Sequence, residues 1–450
     1  MPSHWRSFAS NWVFRALLTA LIGVLAGGHL AAEPARDPNV QQPVDRPKLE
    51  QKYKKDFAAI IKDLTNNKAS AADNAEAVDV LAQWHTFQVT WNDVQSAPGA
   101  MTSVISDFDR FLDDATKNKA TALLDAFTSR AVEHLRLVLQ NDRQIARLNG
   151  ARILARLAKA GQEETADLLA EAVADPQQND AVKYCAFQGL RELFALANQA
   201  NPTIFQTKKG KQREAVCLEA LVKGASRKVP GADGLPRDEL EGIRVVRREA
   251  LHALAMNRRP GVTDDKGALV LRPAQVLAQA ARADGMVPEP RVDERVEAAI
   301  GLARQSPKAF DGYQADYAAY QLAWFTADFG RASNAGTKEL WKTSAARLIE
   351  AFEGMKAETA ALKEGKNIAE FLDKSLSVLD TIRRDGKGDA RDLVAWLSGQ
   401  DLPNKTLYKG VADSAIKEGP SEPKEPPQKT APPDKKPDEK QPEEKKQVDK

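Results

Sequence analysis

The sequence predicts an all-α protein of stacked helix pairs, and three observations carry that expectation. Hydrophobic residues make up 42% of the chain while aromatic residues make up 6%, alongside abundant Ala, Leu, Glu, Lys and Arg. That balance favours helices, because strands draw on more Val, Ile, Thr and Tyr. Apolar residues then recur at helical spacing through most of the chain. Finally, one local frame returns four times: "IARLNGARIL" at 145–154, "AVKYCAFQGL" at 181–190, "VVRREALHAL" at 245–254 and "DERVEAAIGL" at 293–302.

The first segment, residues 1–32, reads as an export signal. Arg6 and Arg15 precede the apolar run "ALLTALIGVLA", and Ala31 and Ala32 suit a peptidase. The competing reading is an uncleaved anchor, but a spanning helix needs about 20 apolar residues, and Gly27 and Gly28 end this run sooner. The expectation is a secreted or periplasmic protein of the cell envelope, with no stable membrane span after removal of the signal. Arg6 and Arg15 also account for the formal net charge of +2. A neutral remainder argues against nucleic acid as partner.

Residues 33–47, "EPARDPNVQQPVDRP", form a polar, proline-bearing leader with no basis for order. A helical cap is expected over 48–130. Its first helix places Tyr53, Phe57, Ile60, Ile61 and Leu64 on one side, and a second, from Asp73 to Val94, carries Val78, Leu81, Trp84, His85 and Trp91. "MTSVISDFDRFLDDA" and "KATALLDAFTSRAVEHLRLVL" continue the period.

The recurring frame occupies 131–307. Gly150, Ala186, Ala250 and Ala298 stand at its centre, where a small side chain lets two helix axes approach. Leu154, Leu190, Leu254 and Leu302 lie four residues on, on the same face. Arg147, Lys183, Arg247 and Arg295 lie three before, placed to reach an acidic group in the adjacent repeat. Partner helices come from "GQEETADLLAEAVADPQQND", "KQREAVCLEALVKG" and "RPAQVLAQAARADG". A lone helix pair would expose an apolar face, and stacking the pairs covers it.

The run "LLAEAVADPQQNDAVKYCAFQGL", with Val182, Lys183, Ala186, Gly189 and Leu190 after an Asp in the turn, resembles HEAT repeats, especially the short variety also found in bilin-lyase-type proteins. The resemblance covers 131–307 and implies an irregular HEAT-like (armadillo-type) α-solenoid. The frames are unequally spaced, so "VPGADGLPRDELEG" and "RPGVTDDKGALVLRP" are expected to loop out. A helical region follows over 308–410, with patterns at 311–329, 338–363 and 368–384 and a short helix around "ARDLVAWLSGQ". Residues 411–450 are a Lys/Pro/Glu-rich tail that buries too little to offset ordering entropy.

No catalytic motif is present. His85, His134 and His252 stand apart with no metal-ligand spacing, and neither a Gly-x-Ser-x-Gly elbow nor a phosphate-cradling loop occurs. No cofactor or metal is therefore expected, and enzyme activity has no support. Carboxylates in "DFDRFLDDA" and "DERVEAA" read as solvated faces or caps. Cys185 and Cys217 are either two small buried residues or a disulfide.

Two surfaces are candidate binding sites. Tyr313, Tyr317, Tyr320 and Trp324 form one helical stripe, either packing against the later helices or presenting a platform to a partner protein or a sugar. Lys208, Lys209, Lys211 and Arg213 begin a basic cluster, either a solvated edge or an attractor for an acidic protein or an envelope polysaccharide. The function expected is non-catalytic protein binding or scaffolding in the periplasm or cell envelope. The alternatives are a carbohydrate- or small-molecule-binding protein or unfamiliar enzyme using residues 310–325, and a structural envelope component tethered by its tail.

Overall fold

Helix starts follow local chemistry. Asn179 and Thr207 each accept a hydrogen bond from a backbone amide of the helix they precede, Val182 N at 2.9 Å and Gly210 N at 2.9 Å. Pro273 opens another helix at a position where its missing N–H is harmless. The computed structural model describes residues 44–410 apart from 98, 200–203, 230, 265, 335–337 and 403–404. The expected export signal, all but the end of the leader and the tail lie outside the described residues.

The amino-terminal part holds α1 (Arg46–Gln51), α2 (Ala58–Thr65), α3 (Ala75–Phe87), α4 (Asn92–Ser96) and α5 (Ala100–Lys117). The two helices expected at its start are both interrupted, one by a π-turn at Lys52–Asp56 and the other by a 3-10 turn at Gln88–Thr90. Next come α6 (Thr121–Leu139), α7 (Gln144–Lys159), α8 (Thr165–Ala174), α9 (Asp180–Ala197), α10 (Lys208–Ala225) and α11 (Arg237–Leu254). A hairpin of β1 (Val262–Thr263) and β2 (Leu269–Leu271), antiparallel with Val262 opposite Leu271, precedes α12 (Pro273–Arg282) and α13 (Val292–Ala303). The chain continues through α14 (Ala315–Ala332), α15 (Lys338–Thr359), α16 (Gly365–Asp385) and α17 (Arg391–Ser398). The all-α class is thus what the chain adopts.

Packing is layered. Helices α6, α8, α10, α12, α14 and α16 contact one another in that order, as do α5, α7, α9, α11, α13 and α15. The chain zigzags between the two layers, an arrangement compatible with a helical repeat. Every frame sits in the second layer, on α7, α9, α11 and α13. Its central residues are buried, as are Leu154, Leu190, Leu254 and Leu302. Gly150 shows why the centre is small: a Cβ there would lie 2.6 Å from Cγ1 of Val138 on α6.

The recurring cations act in more than one way. Arg147 is fully buried and donates to the carbonyls of Asn141 at 2.8 Å and Asp142 at 3.1 Å, just beyond the end of α6. Arg247 meets Glu294 of α13 at 2.7 Å, both side chains buried. Arg295 donates to Ala281 O and to Asp328, each at 2.8 Å. Lys183 is half-buried, and burial pushes its pKa down.

Both sequences expected to loop out are partly structured. Residues 237–242 are the first turns of α11, with Asp238 and Glu239 favourably placed at the helix start. The other insertion holds the hairpin. Tyr408 closes this region, its hydroxyl donating to Pro260 O at 2.6 Å while Gln314 N donates to Leu407 O at 2.9 Å.

Because Gly150 sits against a branched side chain, Gly150→Leu is expected to lose about 1–3 kcal/mol through overpacking. Urea denaturation measures this, and an unchanged midpoint would mean that the α6–α7 crossing has room for a larger side chain.

Candidate functional site

The second-layer helices carry a seam of charged side chains that pair from one helix to the next. On α9, Arg191 reaches Glu249 of α11 at 2.6 Å and Glu192 at 2.8 Å. On α11, Arg248 reaches Asp293 of α13 at 2.9 Å. Glu297 of α13 takes two parallel bonds from Arg347 of α15, at 2.8 and 2.7 Å. Helical spacing explains the row: on α11, residues 248 and 252 lie one turn apart towards Asp293 and Glu297 of α13, while Glu249 meets Arg191 of α9.

The electrostatics reflect partial burial. Burial raises the pKa of Glu249 against the pull of Arg191 and Arg248. Burial alone would also raise that of Glu297, but the Arg347 hydrogen bond, His252 and the Arg347 charge bring it below the usual value. Burial pushes the His252 imidazole down to about 4, opposed by Glu297 and assisted by Arg191, Arg347 and Arg304. Tyr184 of α9 faces the same row, its hydroxyl pushed up to about 12 by burial and by Glu249.

This arrangement suits recognition: Arg191, Arg248, Asp293 and Arg347 keep part of their surface exposed and are fixed in place by neighbours, while Glu249 and Glu297 are buried beneath them. Among the described residues no group of three or more His, Cys, Asp or Glu side chains is placed to hold a metal ion.

The aromatic stripe lies elsewhere. Tyr313, Tyr317, Tyr320 and Trp324 are 8%, 0%, 6% and 2% exposed, which corrects the platform reading: these rings are core. Helix α14 is covered by α12, α13, α16 and α17. Tyr320 meets Phe371 of α16 edge-on at 5.6 Å, and the Arg282 guanidinium stands 5.6 Å from the Trp324 ring.

The basic cluster is only partly free. Lys208, Lys209 and Lys211 are exposed at the start of α10, and Lys211 pairs with Glu214 at 3.2 Å. Arg213 is instead a strap to α8, bonded to Asp167 at 3.0 Å and Glu163 at 3.3 Å.

Sequence reading missed the seam because its partners lie on different helices. The one usable signal was the carboxylate-rich "DERVEAA", expected to be a solvated face or cap. Glu294 within it is a cap, accepting from Arg291 N at 2.8 Å, and is also buried against Arg247; Glu297 departs from the expectation, being buried and paired with Arg347, while Asp293 is partly exposed.

The remaining histidines and the cysteines pack. His134 bonds Asp79 at 2.8 Å. Cys185 and Cys217 are free thiols in the core, and burial pushes Cys185 up to about 11. His85 is enclosed by Phe108, Phe111 and Phe127, which holds its pKa at about 3.

No family model and no curated protein sequence matches the chain. Among solved structures, the crystal structure of SYS-1 aligns at 12% identity and a TM-score of 0.34, covering 81% of this chain and 68% of that one. A likeness at that level carries no argument.

The buried His85 gives a signed pH dependence. An unfolded imidazole titrates near 6.5 and the folded one near 3, so the unfolded state takes up the proton first and stability falls as pH drops below about 6.5. Between pH 7.5 and 5, urea unfolding of the wild type is expected to lose about 2 kcal/mol more than His85→Phe. Equal losses would mean that the imidazole is solvated.

Proposed function

We propose that the chain is an exported, non-catalytic protein-binding or scaffolding α-solenoid of the periplasm or cell envelope. In this reading the repeat is HEAT-like and armadillo-type, with a cap over 48–130, repeats over 131–307 and a helical region over 308–410. The supporting observation is the seam. Second-layer helices α9, α11, α13 and α15 follow one another in contact, and Arg191–Glu249, Arg248–Asp293 and Arg347–Glu297 tie neighbour to neighbour across them.

A small-molecule enzyme would need a concavity with a few converging polar groups. A long strip with charges of both signs fits an extended protein surface better, because complementary charge favours correct encounter and penalises wrong partners. The Arg248–Asp293 pair, partly exposed on both sides, adds little to stability, so a partner can exchange contacts with it without unfolding the stack.

Residues 310–325 do not enter this reading, since their stripe is inside. Lys208 and Lys209, exposed on first-layer helix α10, lie off the seam and do not enter this reading. Export rests on residues 1–32 alone.

Affinity capture from the native envelope with the tagged full chain tests the proposal. Wild type and Lys208→Ala/Lys209→Ala are expected to recover the same proteins, and Tyr184→Ala/Arg248→Ala at least tenfold less of them. Recovery of the chain in the cytoplasm, or equal capture by the seam variant, would refute it.

A further inference from the structure

The seam ends in an open groove between the carboxy-terminal end of α13 and α15. Its volume is about 220 Å³, and Arg258, Arg304, Glu350, Gly354, Met355 and Glu358 line it. Two of these residues are not explained by the packing around them.

Arg304 follows the last residue of α13 and is half-buried. Among the described residues its guanidinium donates only to the thioether sulfur of Met256, at 3.8 Å, and sulfur is a weak acceptor. Neighbouring arginines are engaged: Arg258 with Glu358, and Arg347 with Glu297 through two bonds. Burial, the largest influence, lowers the pKa of Arg304, so its charge is held there against a desolvation cost.

Gly354 lies inside α15, where glycine weakens a helix. A Cβ at this position would meet nothing within 4 Å, so no neighbour demands the small residue. What glycine supplies is bare backbone on the groove.

The acidic groups divide. Glu358 already accepts from Arg258 and Ser306. Glu350 attracts Arg304 and, among the described residues, makes no ion pair. The groove thus holds a cation and an anion apart, over exposed helix backbone.

We infer that this groove binds an extended, mixed-charge segment of a partner polypeptide. Its carboxylate side chain pairs with Arg304, its backbone passes over Gly354, and an adjacent ammonium group turns to Glu350. A guanidinium matches a carboxylate through two parallel bonds. A dianionic group such as phosphate fits less well, because Glu350 and Glu358 stand in the same walls. This inference rests on the protein-binding reading and specifies the chemistry of the partner at one place.

The test is fluorescence anisotropy with a labelled nonapeptide alternating Glu and Lys, and with its counterpart carrying Gln for Glu. Probed with the full chain, the Glu/Lys peptide is expected to bind at least tenfold more tightly than the Gln peptide. Arg304→Gln abolishes that difference. Gly354→Leu also weakens binding at least tenfold while leaving the thermal midpoint, followed by circular dichroism, unchanged or higher.

Equal affinity for the two peptides, or equal binding by wild type and Arg304→Gln, overturns the inference; so does no binding to either peptide. Envelope capture separates the two ideas. If Arg304→Gln and Gly354→Leu recover the wild-type partners undiminished while Tyr184→Ala/Arg248→Ala loses them, the groove is excluded and the seam stands. If the seam variant also captures normally, the protein-binding reading fails with it.

Discussion

Close approach between helices of the two layers is the constraint on which the rest of this structure depends. At Gly150 there is no room for a Cβ against Val138, and at Gly189 one would lie 2.6 Å from a methyl of Leu169. Ala186, Ala250 and Ala298 do the same work with a single methyl group, all fully buried. Larger residues would push the layers apart and forfeit the dispersion contacts that a packed interior supplies. With the layers held this close, the second-layer helices lie side by side, and ion pairs can run from each to the next.

The charged groups have two distinct jobs, set by their depth. Arg247 and Glu294 are buried together, a pair that adds little net stability but whose half-removal leaves an uncompensated charge, costing about 3–5 kcal/mol. Such a pair fixes how α11 and α13 sit. Arg191, Arg248 and Arg347 keep part of their surface exposed, and the Arg248–Asp293 pair, open on both sides, contributes far less to folding. They are the groups an approaching surface would meet. The fold supplies the strip, and function has to be read from the side chains on it.

Much of the architecture was legible because helices announce themselves locally. The apolar period located most elements, and the small residue with its leucine four places on marked every second-layer helix from α7 to α13. Breaks inside the first helices were not legible, since a π-turn or a 3-10 turn leaves the apolar pattern intact. Residues 237–242 looked like loop because of the Gly and Pro before them, yet α11 starts at Arg237, with Asp238 and Glu239 in its first turn where the helix dipole favours acids. The aromatic stripe illustrates the general limit. Its period placed four rings on one face of α14, but only the fold shows which helices cover that face. The seam was hidden for the same reason: Arg347 and Glu297 lie on different helices, and no local pattern joins them.

In the proposed function, α9, α11, α13 and α15 present one continuous interaction face. Hydrogen–deuterium exchange on the full chain, free and bound to partners captured from the envelope, tests it most directly. Exchange is expected to slow on binding along α9, α11, α13 and α15, with the first-layer helices α8, α10 and α12 unchanged. Protection confined to the first layer would contradict it.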